Sequence, residues 1–422
     1  MSLQLNASDH SALRGDLGRA RQLTMQIVVS MAEAVEAPHL IDIEAAHIDG
    51  CGYSGQAGLD FAELLVAGGG RVAVPTTLNV SAMDLLRPDR WVGDPAIPPQ
   101  ARRLAHLYGA MGCQPTWTCA PYQLSVRPSF GAQIAWAESN AICFANSVLG
   151  ARTNRYGDSF DICAAITGRV PYSGLHVREN RRAQCVFRLV DVPEHLLHED
   201  VLFEALGYFV GGTVGSLVPA IVGLPTTATE DHLKALGTAA AASGEVALFH
   251  VVGVTPEAPT LQAALQGLAS LNEIDVTMAD LVATRAVLAI DDSGPLSAVS
   301  VGTPHFSFAQ FEQLRALLEG RSVHPEVDFF ITTGRHVLAQ VTKRGWLAEL
   351  ERAGIRIVTD TCLYHAPIFR FRTGTVMTNS AKWAHYGPDL IGVKVAFGSL
   401  AECVESAVAG KITYAHNAWH EA

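Results

Sequence analysis

Apolar residues recur at intervals of three and four through DHSALRGDLGRARQLTMQIVVSMAEAV, a spacing that predicts two helices between Asp9 and Ala37. The period then changes. LIDIEAAHIDGCGYSG reads as a buried strand running into a glycine-rich loop, GLDFAELLVAGGG as an amphipathic helix stopped by glycines, and RVAVPTTLN as the next strand with its exit. GEVALFHVVG, SAVSVG, VDFFITT and IRIVTDTC are apolar runs of strand length, whereas SFAQFEQLRALLEG and RHVLAQVTKRGWLAELERAG carry helical spacing. Strand, loop and helix alternate along the chain, which predicts an α/β protein with parallel-rich sheets flanked by helices. In such sheets ligands collect beyond the carboxyl ends of the strands. The loops after His47, Val74, Val301, Phe330 and Asp360 are therefore expected to wall a single site.

With 422 residues the chain can form several lobes. The acidic, proline-bearing stretches 190–200 and 253–260 suggest two lobes, about 1–195 and 260–422, around a central 196–259 segment. The most apolar stretch, Ala205 to Pro225, is interrupted by glycine and proline and reads as packed core, not a membrane span. A net charge of -11 with no basic run argues against a nucleic-acid partner. The N-terminal MSLQLNASDHSALRG has neither a basic region nor an apolar one, so a cytoplasmic location is expected, with the eight cysteines kept as thiols.

Familiar chemical signatures are missing. No GxGxxG follows a strand, and Walker A, HExxH and nucleophile-elbow motifs do not occur. VAGGGRVAVP, between helix and strand, reads as a helix C-cap. Cysteines stand out instead. Cys119 in PTWTCAPY sits between two prolines, in an irregular loop with the threonine hydroxyls of Thr116 and Thr118 just before it. Cys113 lies six residues earlier, wider than a zinc clip. Cys362 in IVTDTCLYHAP follows a strand, beside Asp360, Thr361 and His365, and Cys51 in HIDGCGYSG lies in another such loop. Each alone reads as a small buried hydrophobe. Together, three loops presenting one cysteine each form the pattern of a cluster assembled from distant segments. Cys143, Cys163 and Cys185 lie in apolar contexts and read as packing residues.

The segment WAESNAICFANSVLGARTNRYGD places Glu138, Ser139, Asn140, Asn146, Arg152, Asn154 and Arg155 among small apolar residues. Some of these polar groups are then buried and need partners. Two arginines just after a glycine suit a grip on a carboxylate or phosphate. The histidines and polar residues of VGTPHFS, PYSGLHVRENRRAQ and MTNSAKWAHYGP fit a structural role as well as a functional one.

Taken together, PTWTCAPY, AESNAICFANSVLGARTNR, YSGLHVRENR, GTVGSLVPAIVGLP, VGTPHFS, IVTDTCLY and MTNSAKWAHY resemble the aconitase X family, over roughly residues 40 to 408. The resemblance implies an aconitase-like, multi-lobed large catalytic domain and a hydro-lyase that uses an iron–sulfur cluster. Its implied substrates are cis-3-hydroxy-L-proline or mevalonate 5-phosphate. It also implies a small swivelling domain carrying a catalytic serine, expected here on a partner chain in a heterodimer. Family positions map onto Gly50, Gly52, Thr77, Asn79, Val80, Glu138 and Ser139 for substrate, with Arg335 as a further cationic grip. Ser380 and Lys382 are the implied catalytic residues.

In the phosphomevalonate branch the G-x-P-H loop carries a cluster cysteine, and here that position is Thr303. Cys51 is expected to replace it, giving the metal ligands Cys51, Cys119 and Cys362. A two-iron cluster is favoured over three- or four-iron forms, and cis-3-hydroxy-L-proline over the phosphate ester. A metal-free scaffold subunit and a zinc hydrolase are the readings from other classes.

Overall fold

In the computed structural model, which describes residues 3–289, 295–364, 366, 368, 374–415 and 419, the short apolar runs assemble into three separate parallel sheets. The first orders Thr76–Leu78, Ala45–Ile48 and Ile134–Trp136, with His47 opposite both Thr77 and Trp136. The second orders His250–Val251, Pro219–Val222, Cys185–Leu189 and Asn272–Val276. The third orders Ile355–Val358, Asp328–Thr333, Leu296–Phe306, Thr375–Thr378 and Lys394–Phe397. Parallel strands need helical crossovers, which cover both faces and leave the strands wholly apolar. Accordingly, Leu296–Phe306 is buried along nearly its whole length. The expected α/β class with parallel sheets flanked by helices is what the chain adopts.

Four elements differ from the sequence expectation. The run from residue 40 to 48 is two strands, and Leu40–Asp42 pairs antiparallel with Arg169–Pro171. The break falls where Ile43 N–H donates to Gly168 and Glu44 N–H to Gln133, so the chain changes partners there. GEVALFHVVG forms a strand only at His250–Val251. Before it, Asn146 Nδ2 takes the Ala247 carbonyl and Ser147 Oγ takes the Phe249 N–H, so side chains use the bonds a longer ladder would need. The long helical pattern at 335–352 is split into Arg335–Lys343 and Trp346–Arg352 by Gly345 at φ 77°. The second sheet runs from Cys185 to Val276, beyond both ends of the expected 196–259 segment. All eight cysteines are free and buried. No helix among the described residues is long and apolar enough to cross a membrane.

Two helices of the second unit set the frame for the site. Asp200–Val214 packs along Glu230–Ser243, which in turn touches helices Ser139–Phe144 and Ala381–Ile391. The first contact is glycine-mediated. A Cβ on Gly207 would lie 2.2 Å from the Leu236 carbonyl oxygen, and one on Gly211 2.3 Å from that of Ala240. Apart from Ser243 Oγ near Gly211, the obstacles are backbone atoms, so the helices must separate to admit a methyl group. Gly212, on the same helix, has open space around it. Gly211→Ala is expected to destabilise the protein by about 3 kcal/mol. Gly212→Ala is expected to be neutral or to stabilise by about 0.5–1 kcal/mol. Thermal denaturation of the two variants checks the pair, and equal melting temperatures would contradict the close approach.

Candidate active site

The loops at the carboxyl ends of the strands do converge. Ser81 N–H donates to the Asp360 carbonyl at 2.6 Å, joining a loop of the first sheet to one of the third. His305, at the end of Leu296–Phe306, spans both cysteine loops. Its Nε2 lies 3.2 Å from the Thr361 carbonyl and its Nδ1 3.1 Å from Thr118 Oγ1. A carbonyl only accepts, so Nε2 carries the proton and Nδ1 accepts from threonine. Burial lowers the imidazole to about 4, which keeps it neutral. The His305 N–H donates to Cys119 Sγ at 3.3 Å.

Cys119, Cys362 and His305 present ligand atoms within 4.8 Å of one another, all buried. Their neighbourhood fits a metal group. The Cys119 sulfur, together with burial, holds the Cys362 thiol well above its ordinary range, so a bound cation is what would favour two thiolates there. Among the described residues, Thr361 Oγ1 and Thr303 Oγ1 are buried with no hydrogen-bond partner, one beside Cys362 and the other two residues from His305. Cys51 stands outside the group: its Sγ faces the carbonyl oxygens of Ile48, Asn79 and Val80 at 3.3, 3.4 and 3.8 Å. His365 lies outside the described residues.

Next to the cysteines lies a buried ion pair. Lys382 Nζ is 2.7 Å from Glu138 Oε1, and the two residues are 5 % and 9 % exposed. Glu138 caps Ser139–Phe144 from a left-handed backbone conformation, φ 72°, which only a surrounding web of bonds can hold in a non-glycine residue. Asn140 supplies part of that web, with its Nδ2 2.7 Å from Glu138 Oε1 and 3.0 Å from the Cys119 carbonyl. One amide therefore ties the carboxylate to the cysteine loop. Ser139 Oγ donates to Glu138 and accepts from Lys382, both at 3.3 Å. Burial by itself would raise Glu138, but Lys382 and Asn140 hold it below the usual carboxylate range. Burial would likewise lower Lys382, yet Glu138 outweighs it and holds the ammonium above its usual range. Both groups stay charged. They open onto a cavity of about 300 Å³ that Asp49, Ser139, Arg155 and Tyr364 also line.

The remaining expected residues divide. Asn79 donates to Asp49 Oδ1 and, at 3.4 Å, to Glu138 Oε2, which puts it against the cavity. Gly50 and Gly52 form the tight loop below. Gly50 N–H donates to Asp161 at 3.1 Å, and a Cβ on Gly52 would meet the Val80 carbonyl at 3.3 Å. Thr77 is half-buried, its Oγ1 2.8 Å from His47 Nδ1, and it does not line the Glu138 cavity. Ser380 spends its hydroxyl oxygen on the Trp383 N–H, capping Ala381–Ile391, and lines a different cavity of about 550 Å³. Arg335 is committed as well: its Nε and Nη2 each lie 2.7 Å from Asp360, and it does not line the Glu138 cavity. Arg155 and Asp49 do line it, though neither was among the residues assigned from sequence. Arg155 was named there only as one of two arginines able to grip an anion.

Comparison with known proteins follows this geometry. The chain matches family models described as the Aconitase X first domain over residues 2–179, second domain over 183–286 and third domain over 296–409. A cis-3-hydroxy-L-proline dehydratase of Pseudomonas aeruginosa is 45% identical over 421 residues, covering 99% of this chain and 72% of that protein. A phosphomevalonate dehydratase large subunit of Methanothermobacter thermautotrophicus is 35% identical over 397 residues, covering 93% of this chain and 96% of that subunit. The crystal structure of Thermococcus kodakaraensis aconitase X in its holo-form superposes with a TM-score of 0.85 at 33% identity, over 96% of this chain and 100% of that one. The paired loop cysteines, the three parallel sheets and these full-length matches agree, and the chain belongs to the aconitase X family.

Proposed function

We propose that the protein is an iron–sulfur-dependent hydro-lyase that converts cis-3-hydroxy-L-proline to Δ1-pyrroline-2-carboxylate. The observation that carries this reading is the meeting of Cys119 and Cys362 beside the Glu138–Lys382 cavity. The 45% identity to a dehydratase named for that substrate supports it, and the phosphomevalonate relative is more distant at 35%. Cys119 and Cys362 would hold the cluster, with two irons as the favoured form; Cys51, the third thiolate expected from sequence, would have to turn away from the carbonyls it faces to join them. When bound, the cluster supplies Lewis acidity to a departing hydroxyl.

The chain's own residues handle the charge that develops. Loss of the α-proton turns the substrate carboxylate into an enediolate, which needs donors already in place. Lys382, held protonated by Glu138, and Ser139 stand at the cavity for this purpose. The Cα–H electron pair becomes the Cα–Cβ double bond, the Cβ–O bond breaks, and the hydroxide leaves as water once protonated. The cyclic enamine left behind takes a proton at Cβ and releases the one on its ring nitrogen, which gives the imine. The resemblance assigns the proton-abstracting serine to a small partner, and the large-subunit name of the phosphomevalonate relative supports such a partner. The assembly is then a heterodimer in the cytoplasm.

Two experiments test this. The first follows pyrroline-2-carboxylate formation from cis-3-hydroxy-L-proline, with mevalonate 5-phosphate as the rival; turnover of the phosphate ester alone would overturn the reading. In that assay Lys382→Met is expected to lower kcat about 10²–10³-fold. It also strands the Glu138 carboxylate, at a cost of about 3–5 kcal/mol. Adding Glu138→Gln should restore most of the melting temperature and none of the activity. The second reads iron content and visible absorption after anaerobic purification. Cys119→Ser and Cys362→Ser are expected to lose both, and so is Cys51→Ser. A Cys51→Ser protein with iron and colour intact would remove Cys51 from the ligand set.

A further inference from the structure

The charges lining the cavity do not cancel one another in pairs. Glu138 and Lys382 neutralise each other at 2.7 Å. Asp49 accepts from the neutral Asn79 amide and has no cationic partner, and Arg155 makes no hydrogen bond or ion pair, in each case among the described residues. One acid and one exposed base thus line a space of about 300 Å³ without pairing to each other; burial and the nearby Glu138 and Asp158 push Asp49 well above the ordinary carboxylate range, so an arriving cation is what would favour its carboxylate. The acid side is reinforced from behind. Asp161 accepts from the N–H groups of Asp49, Gly50 and Ile162 at 2.7, 3.1 and 2.5 Å, fixing the loop that carries Asp49.

Tyr156, also in the lining, has its proton assigned by its neighbours. Gln133 Nε2 contacts the His176 carbonyl at 3.4 Å, so its Oε1, 2.7 Å from His176 Nδ1, is the acceptor there. His176 Nδ1 therefore carries the ring proton, and Nε2 can only accept. The Tyr156 hydroxyl, 2.5 Å from that nitrogen, donates to it. The phenol oxygen retains only acceptor capacity for a ligand. Asp49 and Tyr156 thus offer acceptors to the cavity, and Arg155 offers donors.

We propose that this cavity selects a zwitterionic ring amino acid, with Arg155 taking the carboxylate and Asp49 and Tyr156, which line the same cavity, taking the secondary ammonium. The assignment rests on the hydro-lyase reading above for the identity of the site and adds the two residues that discriminate among small acids. Arg335, another arginine expected from sequence to grip an anion, is already neutralised by Asp360.

The test is equilibrium binding to the full chain, alone and with the small partner proposed above, using L-proline and tetrahydrofuran-2-carboxylate. The two rings are near-isosteric and differ in the ammonium. L-proline is expected to bind at least about 10-fold more tightly. Asp49→Asn should erase that preference while leaving the ether acid unchanged. Arg155→Gln should weaken both ligands about 10–100-fold, and Arg155→Lys should recover part of the loss. Equal or undetectable binding of the two ligands by the unaltered protein overturns the proposal, as does an Arg155→Gln protein that binds both normally. Turnover of cis-3-hydroxy-L-proline by the unaltered protein is read separately. Its absence alongside the expected binding pattern would sink the hydro-lyase reading and leave the zwitterion site standing.

Discussion

Burying a carboxylate with an ammonium is tolerable only if each holds the other at bonding distance and the remaining lone pairs and protons find partners. Glu138 and Lys382 meet that condition, and much of the site follows from it. They lie 244 positions apart in sequence, one at the start of a helix behind the first sheet and the other at the start of a helix after a strand of the third. Holding them at 2.7 Å fixes how those two units meet. Asn140 then carries the same constraint into the Cys119 loop.

Backbone conformation tells the same story. Trp117, Glu138 and Asp360, all non-glycine residues with positive φ, lie in the loops that surround the cysteines. Such conformations persist where neighbours over-determine them. Asp360 is fixed by a two-pronged Arg335 bond and Glu138 by Lys382, Asn140 and Ser139. His305 ties the two cysteine loops with both ring nitrogens, leaving little freedom between them.

Much of the fold could be read from apolar spacing, since strands and helices here follow their periods: Gln56–Ala67 and Phe308–Leu318 fall where the spacing put them. The meeting of Cys119 and Cys362 was legible because each sits in a polar, irregular loop, Cys119 between two prolines and Cys362 directly after a strand. Other features depended on partners that spacing does not reveal. Arg335 looked like a free cation until its Asp360 partner was placed beside it. Ser380 carries a serine's chemistry, but it immediately precedes a helix, where a hydroxyl is drawn to the free N–H groups. His305 sits in a short polar motif that reads equally as surface. Asp49 and Arg155 are ordinary charges until a shared cavity leaves both unpaired.

Three parallel sheets in chain order also impose a timetable on synthesis. Cys119 belongs to the first unit and Cys362 to the third, so the pocket between them cannot exist while the chain is half made. At roughly 5–20 residues per second, Cys362 leaves the ribosome about 12–50 s after Cys119. Through that interval the earlier thiol lacks Cys362, and its loop must rely on the first two units, whose apolar side chains share its core, to keep it out of solvent.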